Sequence, residues 1–222
     1  MSIDFKFPAR NDRTEFWAPI YKRSWTQSEL ILTFPDIGIK ILDVGAGRYP
    51  FVPRQIDELV TLDFDNSSKP TIAVDFTREW PFGSNEFDLV YASHVIEHLY
   101  PRDRDVLVMR IFDSLRPGGI LFMRVPHKSS FQAVGWEHHT YYGTNGVTSL
   151  THGQNPYLPQ FDLVSVGVAI GNTDRFRRDR SVLERVVEVI LNKSFQLTDK
   201  FLWMLLGGVP EVQFALRKPR TG

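Results

Sequence analysis

Two glycines at the end of an apolar run are the first residues of this sequence whose spacing could do chemistry. Residues 41–44 are apolar apart from Asp43, and they lead into Gly45, Ala46 and Gly47. Because glycine has no Cβ, backbone N–H groups at such a turn can come close to a ligand. Asp63 ends a second apolar run about 20 residues later, where a carboxylate can accept hydrogen bonds from both hydroxyls of a ribose. The two features together predict a site for an adenosine-bearing ligand.

A histidine-containing segment is the second feature whose residue types could take part in chemistry. His94, Glu97 and His98 spell H-x-x-E-H, the inverted zinc-peptidase motif, which requires a continuous helix. Residues 87–92 instead predict a strand that ends near Ser93, and Pro101 would interrupt a helix that began after it. The chain also has no cysteine that could complete a zinc site. We therefore predict that no metal is bound here.

Strands and helices must position these residues, and the apolar runs indicate where they lie. Strands are predicted at residues 39–44, 59–62, 71–74, 87–92, 120–125, 163–170 and 211–217. Helical spacing is found at residues 106–115, 145–150, 182–191 and 195–206, and residues 16–34 predict a helical lead-in. Alternation of strands and helices predicts an α/β fold with a mostly parallel sheet. Only a short turn precedes residues 211–217, so this last strand is expected to be antiparallel.

The order of these segments resembles that of the class I S-adenosylmethionine-dependent methyltransferases, of the small kind called type 11. The resemblance runs over residues 39–127 and is carried by residues 42–47, Asp63 and residues 74–76, 80–82, 87–90, 93–99 and 115–119. It implies a Rossmann-like, doubly wound, seven-stranded sheet of order 3-2-1-4-5-7-6, mostly parallel with an antiparallel last strand. It also implies that S-adenosyl-L-methionine lies across the carboxyl ends of the first four strands.

The resemblance assigns cofactor contacts to ten residues of this sequence. These are Asp43, Gly45, Ala46 and Gly47 in the first motif, Asp63 at the ribose and the adjoining Phe64, Asp75 and Phe76 at the adenine, and Ser93 and His94 after the fourth strand. One departure concerns Tyr49, which stands where the family usually has a third glycine and is followed by Pro50 and Pro53. We expect the helix after the first strand to be shortened as a result.

The implied reaction is O- or N-methylation of a small-molecule or glycan-type acceptor. A general base is needed only for some acceptors, and a histidine could take the proton of a hydroxyl. His127, His138 and His139 are the candidates, because they come after the fifth strand and ligands of open α/β sheets bind beyond the strands' carboxyl ends. Two alternatives stay open: a nicotinamide-dependent oxidoreductase, against which the missing third glycine argues, and a catalytically silent cofactor-binding partner subunit.

Composition narrows the remaining choices. The 26 basic and 26 acidic residues balance, so no overall charge attracts nucleic acid, and no apolar run is long enough to span a bilayer. We expect a cytoplasmic monomer or homodimer with one domain, residues 1–222. Within it, residues 1–38 are the lead-in, 39–127 the cofactor half and 128–222 the acceptor half. An arginine cluster at residues 175–180 and an apolar helix at residues 201–206 have no assigned role.

Overall fold

The computed structural model describes residues 21–22, 24–170, 182–193, 198–199 and 209–220. Its strands are β1 Tyr21–Lys22, β2 Lys40–Val44, β3 Glu58–Asp63, β4 Ile72–Ala73, β5 Phe87–Ser93, β6 Leu115–Pro126, β7 Asp162–Ala169 and β8 Glu211–Arg217. Its helices are α1 Gln27–Ile31, α2 Pro101–Ser114, α3 Thr148–Thr151 and α4 Val182–Lys193. The arginine cluster, the apolar helix at residues 201–206 and residues 16–20 of the lead-in lie outside the described residues.

The described strands form one sheet in the order β1-β7-β8-β6-β5-β2-β3-β4. Strands β2, β3, β4, β5 and β6 pair in parallel, whereas β8 is antiparallel to both β6 and β7. Numbered without β1, this is the order 3-2-1-4-5-7-6, so the fold and the antiparallel last strand are confirmed. The eighth strand, β1, adds two residues in parallel to the edge of β7.

The chain before β2 differs from the predicted helical lead-in. Tyr21 and Lys22 pair with Ser165 and Val166 of β7, so the helix prediction is wrong at these two residues. The exposed edge of β7 offers unpaired backbone groups, and pairing with them outweighs the helical spacing of the apolar side chains. The helix begins only at Gln27, where Thr26 accepts a hydrogen bond from the Glu29 N–H and Glu29 accepts one from the Thr26 N–H.

The connection from β2 to β3 is the second departure. Residues 45–57 are all described, and none of them is helical, so the helix expected to be shortened is missing altogether. Pro50 and Pro53 have no N–H to give to a helix. The N–H groups between them find side chains instead: Phe51 donates to Asp43 Oδ2 at 2.7 Å and Val52 to Gln27 Oε1 at 3.1 Å.

Buried side chains cover both faces of the sheet because successive residues of a strand point to opposite sides. On one face Leu42, Val90 and Leu121 pack with Leu107 and Ile111 of α2. On the other face the core includes Ile41, Leu89, Phe122 and residues of the α1 segment such as Trp25 and Leu30. Within the described ranges, none of the helices has both the length and the apolar composition that a bilayer span requires.

A buried ion pair joins β6 to β8, its antiparallel neighbour. Arg124 of β6 is 3% exposed and Glu211 of β8 is 6% exposed. The guanidinium donates to Glu211 Oε2 from Nε at 3.1 Å and from Nη2 at 2.6 Å, and its Nη1 donates to the Tyr91 hydroxyl at 2.9 Å. Burial alone would raise the pKa of Glu211, but Arg124 and His94 hold it well below its usual range. The pair therefore stays charged inside the sheet.

We predict that Glu211→Ala lowers the free energy of unfolding by about 3 to 5 kcal/mol, because it leaves the Arg124 guanidinium buried without its carboxylate. The double variant Arg124→Met, Glu211→Leu should lose less than the single variant, since neither charge remains. Arg217→Ala is the matched control, because Arg217 at the other end of β8 pairs with Asp162 at 3.6 Å near the surface. It should lose at most about 1 kcal/mol. Chemical unfolding measures all three, and a single variant no less stable than the control would contradict the prediction.

Candidate functional site

The carboxyl ends of the parallel strands bring the predicted site residues to one edge of the sheet. Gly45 follows β2, Asp63 ends β3, His94 follows β5 and His127 follows β6. Because β8 runs the other way, its first residue, Glu211, reaches the same edge and pairs with Pro126. Ligands of open α/β sheets bind beyond this edge.

The glycine loop has backbone angles that favour glycine. Gly45 has φ +67° and Gly47 has φ +52°. The Gly45 N–H donates to the Leu62 carbonyl at 2.7 Å, which ties the loop to β3. A Cβ on Gly45 would lie 2.4 Å from Val95 Cγ2, so the turn after β5 fills the space that a side chain would need. The loop is therefore fixed between two neighbouring strand ends, and a Cβ on Gly47 would meet only the Gly45 carbonyl oxygen, at 4.0 Å.

Asp63 faces this loop from the end of β3 and is 5% exposed. Its Oδ2 accepts the Gly47 N–H at 2.7 Å, and its Oδ1 accepts the Asp65 N–H at 2.8 Å. A carboxylate can accept about four hydrogen bonds, so each oxygen keeps a lone pair for a further donor. The next residue, Phe64, leaves 74% of its surface exposed. The pair thus offers a hydrogen-bond acceptor beside an uncovered aromatic ring.

Asp43 lies under the loop as a buried carboxyl group. Only 2% of it is exposed, and its Oδ2 accepts the Phe51 N–H. Burial raises the pKa of Asp43 to about 7, the Phe51 N–H lowers it in part, and the nearby Asp63 raises it further. This carboxyl group therefore changes charge near neutral pH, and a cation close by would favour its ionised form.

Asp75 and Phe76, predicted at the adenine, take different positions after β4. Asp75 is exposed, and its Oδ1 accepts the Thr77 hydroxyl at 2.6 Å and the Thr77 N–H at 3.0 Å, which hold the pKa of Asp75 below its usual value. Phe76 is 6% exposed and packs in the core, while its carbonyl accepts Arg110 Nη1 of α2 at 2.8 Å. The side chain of Phe76 therefore supports the segment from below.

His94 follows Ser93 with φ +56°, a backbone conformation uncommon for a residue with a side chain. Its Nδ1 lies 3.2 Å from Glu97 Oε1 and its Nε2 lies 3.3 Å from Glu211 Oε2. Burial would lower the pKa of His94, but the two carboxylates outweigh it and raise the pKa to about 9. With 39% of its side chain exposed, His94 presents a positive charge at the edge of the site.

The three predicted general bases are not equivalent. His127 is fully buried, with Nδ1 at 2.8 Å from the Ser129 hydroxyl and Nε2 at 2.9 Å from Asp199 Oδ1. Both of its nitrogens are therefore occupied, and the geometry does not favour His127 as the group that meets an acceptor. His139 is exposed instead, and His138 is half-buried. The His139 ring stacks on Tyr100 with centroids 4.0 Å apart.

His138 and His139 lie against the turn that follows His94. The N–H groups of His139 and Thr140 both donate to the Glu97 carbonyl, at 2.7 and 3.2 Å. His138 Nδ1 lies 3.2 Å from the Ala133 carbonyl, and the rings of His138 and His98 meet edge to face at 4.5 Å. The H-x-x-E-H histidines do not lie on one helix, because residues 96–98 form a single 3-10 turn and α2 begins only at Pro101.

A buried polar network within the sheet supports the site, and its residues were not predicted from the sequence. Arg124 lies inside an apolar strand and Glu211 begins one. A charged residue within an apolar run was the sequence feature that could have indicated a buried ion pair. Tyr91 is a third member, because its hydroxyl accepts from Arg124 and from Gln27 Nε2 at 3.4 Å. These contacts connect the buried network to α1.

Comparison with known proteins adds to this geometry. A family model described as a methyltransferase domain matches residues 10–165. A SAM-dependent methyltransferase from Archaeoglobus fulgidus is 16% identical, with 81% of this chain and 86% of that chain covered and a TM-score of 0.56. The N-methyltransferase NodS from Bradyrhizobium japonicum, in complex with S-adenosyl-L-homocysteine, is 13% identical over 82% and 80% of the two chains, with a TM-score of 0.53. The cyclase SpnF is 15% identical over 84% and 76%, with a TM-score of 0.52.

Likeness at these levels of identity supports the fold alone, and no curated protein matches the sequence. The match to the family model is stronger evidence for family membership, because it spans more than half of the 222 residues. It includes the glycine loop, Asp63 and the turn after β5. This chain therefore belongs to the methyltransferase-domain family, as the order of its sequence motifs predicts.

Proposed function

We propose that this chain transfers a methyl group from S-adenosyl-L-methionine to a small-molecule or glycan acceptor. The observation that carries the proposal is the pairing of the glycine loop with Asp63. Gly47 is fixed by its N–H donation to Asp63 Oδ2, and this carboxylate, at the carboxyl end of β3, can accept further hydrogen bonds. A ribose that donates two hydroxyls suits such an acceptor.

The residues of the site fit this cofactor. Gly45 and Gly47 leave the loop without side chains, so a ligand can approach the backbone. Phe64 offers an exposed ring beside the ribose position, which suits an adenine, and Asp75 is exposed on the next strand end. Asp43, deep in the loop, can supply negative charge to the cationic methionine end. When bound, the cofactor supplies an electrophilic methyl on a sulfonium, so the protein has to exclude water and orient an acceptor.

The acceptor side is formed by the segment after β6. Its exposed apolar surface belongs to Phe131, Val134, Trp136 and Tyr141, with exposed fractions of 80%, 70%, 98% and 58%. Exposed aromatic rings at a site edge suit an acceptor with apolar faces, such as a sugar ring or a small aromatic compound. His138 and His139 lie among these residues and are the histidines able to reach an acceptor hydroxyl. The cytoplasmic location and the monomeric or homodimeric state stay predictions.

Two other functions are less well supported. A nicotinamide-dependent oxidoreductase with the G-x-G-x-x-G fingerprint would carry its third glycine where Pro50 stands. The structurally similar SpnF is named as a [4+2]-cyclase, so the fold alone does not identify the reaction. A catalytically silent subunit would keep the same cofactor residues. Methyl transfer from radiolabelled cofactor to candidate acceptors separates an enzyme from a silent subunit.

We predict that S-adenosyl-L-methionine binds in the micromolar range and that Asp63→Asn weakens binding at least tenfold. The asparagine keeps one acceptor oxygen but loses the charge that strengthens hydrogen bonds from the ribose, a loss of about 1.5 to 3 kcal/mol. Asp63→Ala should also lower stability, because it removes the acceptor of the Gly47 and Asp65 N–H groups. Isothermal titration calorimetry measures the affinities, and a thermal melt checks the fold.

Asp65→Asn is the matched control, because Asp65 lies two residues away, is exposed, and bonds to Ser67 rather than to the glycine loop. Its affinity should equal that of the wild type. Folded Asp63→Asn protein with unchanged affinity would show that the ribose does not meet Asp63. Absence of binding to folded wild type would remove the cofactor assignment itself.

We also predict that cofactor affinity rises with pH from about 5.5 to about 7.5 and that Asp43→Asn abolishes the rise. The pKa of Asp43 is raised to about 7, so in the free protein the carboxyl is protonated below this pH and ionised above it. A bound cation favours the ionised form, so affinity is lost as pH falls through 7, by at most tenfold per unit. An α-amino group, with a pKa of about 7.7 to 8.0, stays mostly charged up to pH 7 and loses part of its charge only near the top of this range. Equal slopes for wild type and Asp43→Asn in calorimetry would contradict the prediction.

A further inference from the structure

Glu97 has a buried carboxylate oxygen that accepts no hydrogen bond from the described residues. The side chain is 1% exposed. Its Oε1 lies 3.2 Å from His94 Nδ1, whereas Oε2 has no hydrogen-bond partner among the described residues. A buried polar atom without a partner costs free energy, and one reason for such an atom to persist is an ion. Oε2 is therefore the oxygen of Glu97 that is left for a ligand.

Two histidines lie beside this carboxylate. One ligand atom each from Glu97, His98 and His138 lie within 4.8 Å of one another. Ligand atoms on one tetrahedral zinc ion, each about 2.1 Å from it, lie about 3.4 Å apart, so the three side chains would have to close by at most about 1.4 Å. The structure thus brings together a different trio from the H-x-x-E-H motif, because His94 is engaged with Glu97 Oε1 and Glu211 instead.

His138 is oriented as a metal ligand would be. Its Nδ1 lies 3.2 Å from the Ala133 carbonyl oxygen, which can only accept a hydrogen bond. The proton is therefore on Nδ1, and Nε2 keeps its lone pair. Metal-bound histidines commonly donate their second nitrogen to a carbonyl or carboxylate, which fixes the tautomer and the ring orientation.

The backbone itself holds the three side chains together. His98 and Glu97 are neighbours on the turn at residues 96–98, and the segment that carries His138 is docked onto that turn. The dock consists of the His139 and Thr140 N–H groups, which both donate to the Glu97 carbonyl, and of the Thr140 hydroxyl, which donates to the Ile96 carbonyl at 3.2 Å. The candidate site is therefore largely formed before a ligand arrives.

We propose that Glu97, His98 and His138 bind one first-row divalent transition-metal ion of the zinc type. Two imidazoles and one carboxylate are a ligand set that such ions accept with coordination positions left open, whereas Mg²⁺ prefers oxygen ligands. This proposal departs from the sequence-based prediction that no metal is bound. The trio comes just after the carboxyl end of β5, at the edge where the acceptor is expected. If the proposed function holds, an open position can bind an acceptor hydroxyl and lower its pKa, so that its proton is released to water and no general base is needed.

The test uses untagged, full-length protein treated with chelator and titrated with Zn²⁺ alone, without cofactor. We expect one ion per chain by calorimetry, and Co²⁺ in its place should give a visible absorption spectrum typical of mixed nitrogen and oxygen ligands. His138→Ala and His98→Ala should each weaken Zn²⁺ binding at least tenfold, and excess Mg²⁺ should not compete. His139→Ala is the matched control, because this neighbouring histidine stacks on Tyr100 outside the trio, and its Zn²⁺ affinity should be unchanged.

Glu97→Gln tests the carboxylate, with a thermal melt to verify folding because the side chain is buried. Zn²⁺ binding that is as weak in the wild type as in a His98→Ala, His138→Ala double variant would overturn the proposal, as would an equal loss in His139→Ala. S-adenosyl-L-methionine affinity measured on the same samples separates the two hypotheses. This affinity should be retained in His138→Ala. Loss of Zn²⁺ binding with normal cofactor binding would therefore count against the metal site alone, and loss of cofactor binding with normal Zn²⁺ binding would count against the proposed function alone.

Discussion

The Arg124–Glu211 ion pair is the interaction on which the carboxyl edge of the sheet depends. It joins β6 to the one strand that runs against its neighbours on both sides, at the level where the site begins. Two buried charges are stable there only because each side chain makes several hydrogen bonds. The Glu211 carboxylate contacts Arg124 of β6, His94 after β5 and Gln213 of its own strand, so one side chain connects the ends of β5 and β6 to β8.

His94 transmits this constraint to the neighbouring loops. Its imidazolium bridges Glu211 and Glu97, and its left-handed backbone turns the chain directly after β5. The turn places Val95 against Gly45, where a methyl group would not fit. The shape of the glycine loop thus depends on a charge network on the far side of β5. A strained residue over-determined by its surroundings is often found at a functional site.

The sequence predicted the elements with strong periodicity and missed those decided by tertiary contacts. Strands β2, β5, β7 and β8 lie within one residue of their predicted bounds, because buried runs between breakers leave few alternatives. The short β1 was missed because its two residues are held only by the edge of β7. Among the site residues, Asp63 and Gly45 lie where the spacing predicts. Glu97, His98 and His138 could not be grouped in advance, because the docking of residues 139–140 on Glu97 is a contact between distant segments.

The missing helix after β2 has an electrostatic consequence. In dinucleotide-binding folds a helix starts directly after the glycine loop, and the positive end of its dipole holds the pyrophosphate. Residues 45–57, all described, form no helix, and the deepest group of the loop is the carboxyl of Asp43. The loop therefore lacks the partial positive charge of a helix N-terminus, and the carboxyl groups of Asp43 and Asp63 lie against it. A pyrophosphate at this loop would not have the helix dipole that stabilises it in dinucleotide-binding folds, whereas a cationic ligand group needs no such dipole. The missing helix thus favours a cofactor that is positively charged at this point over one with a pyrophosphate.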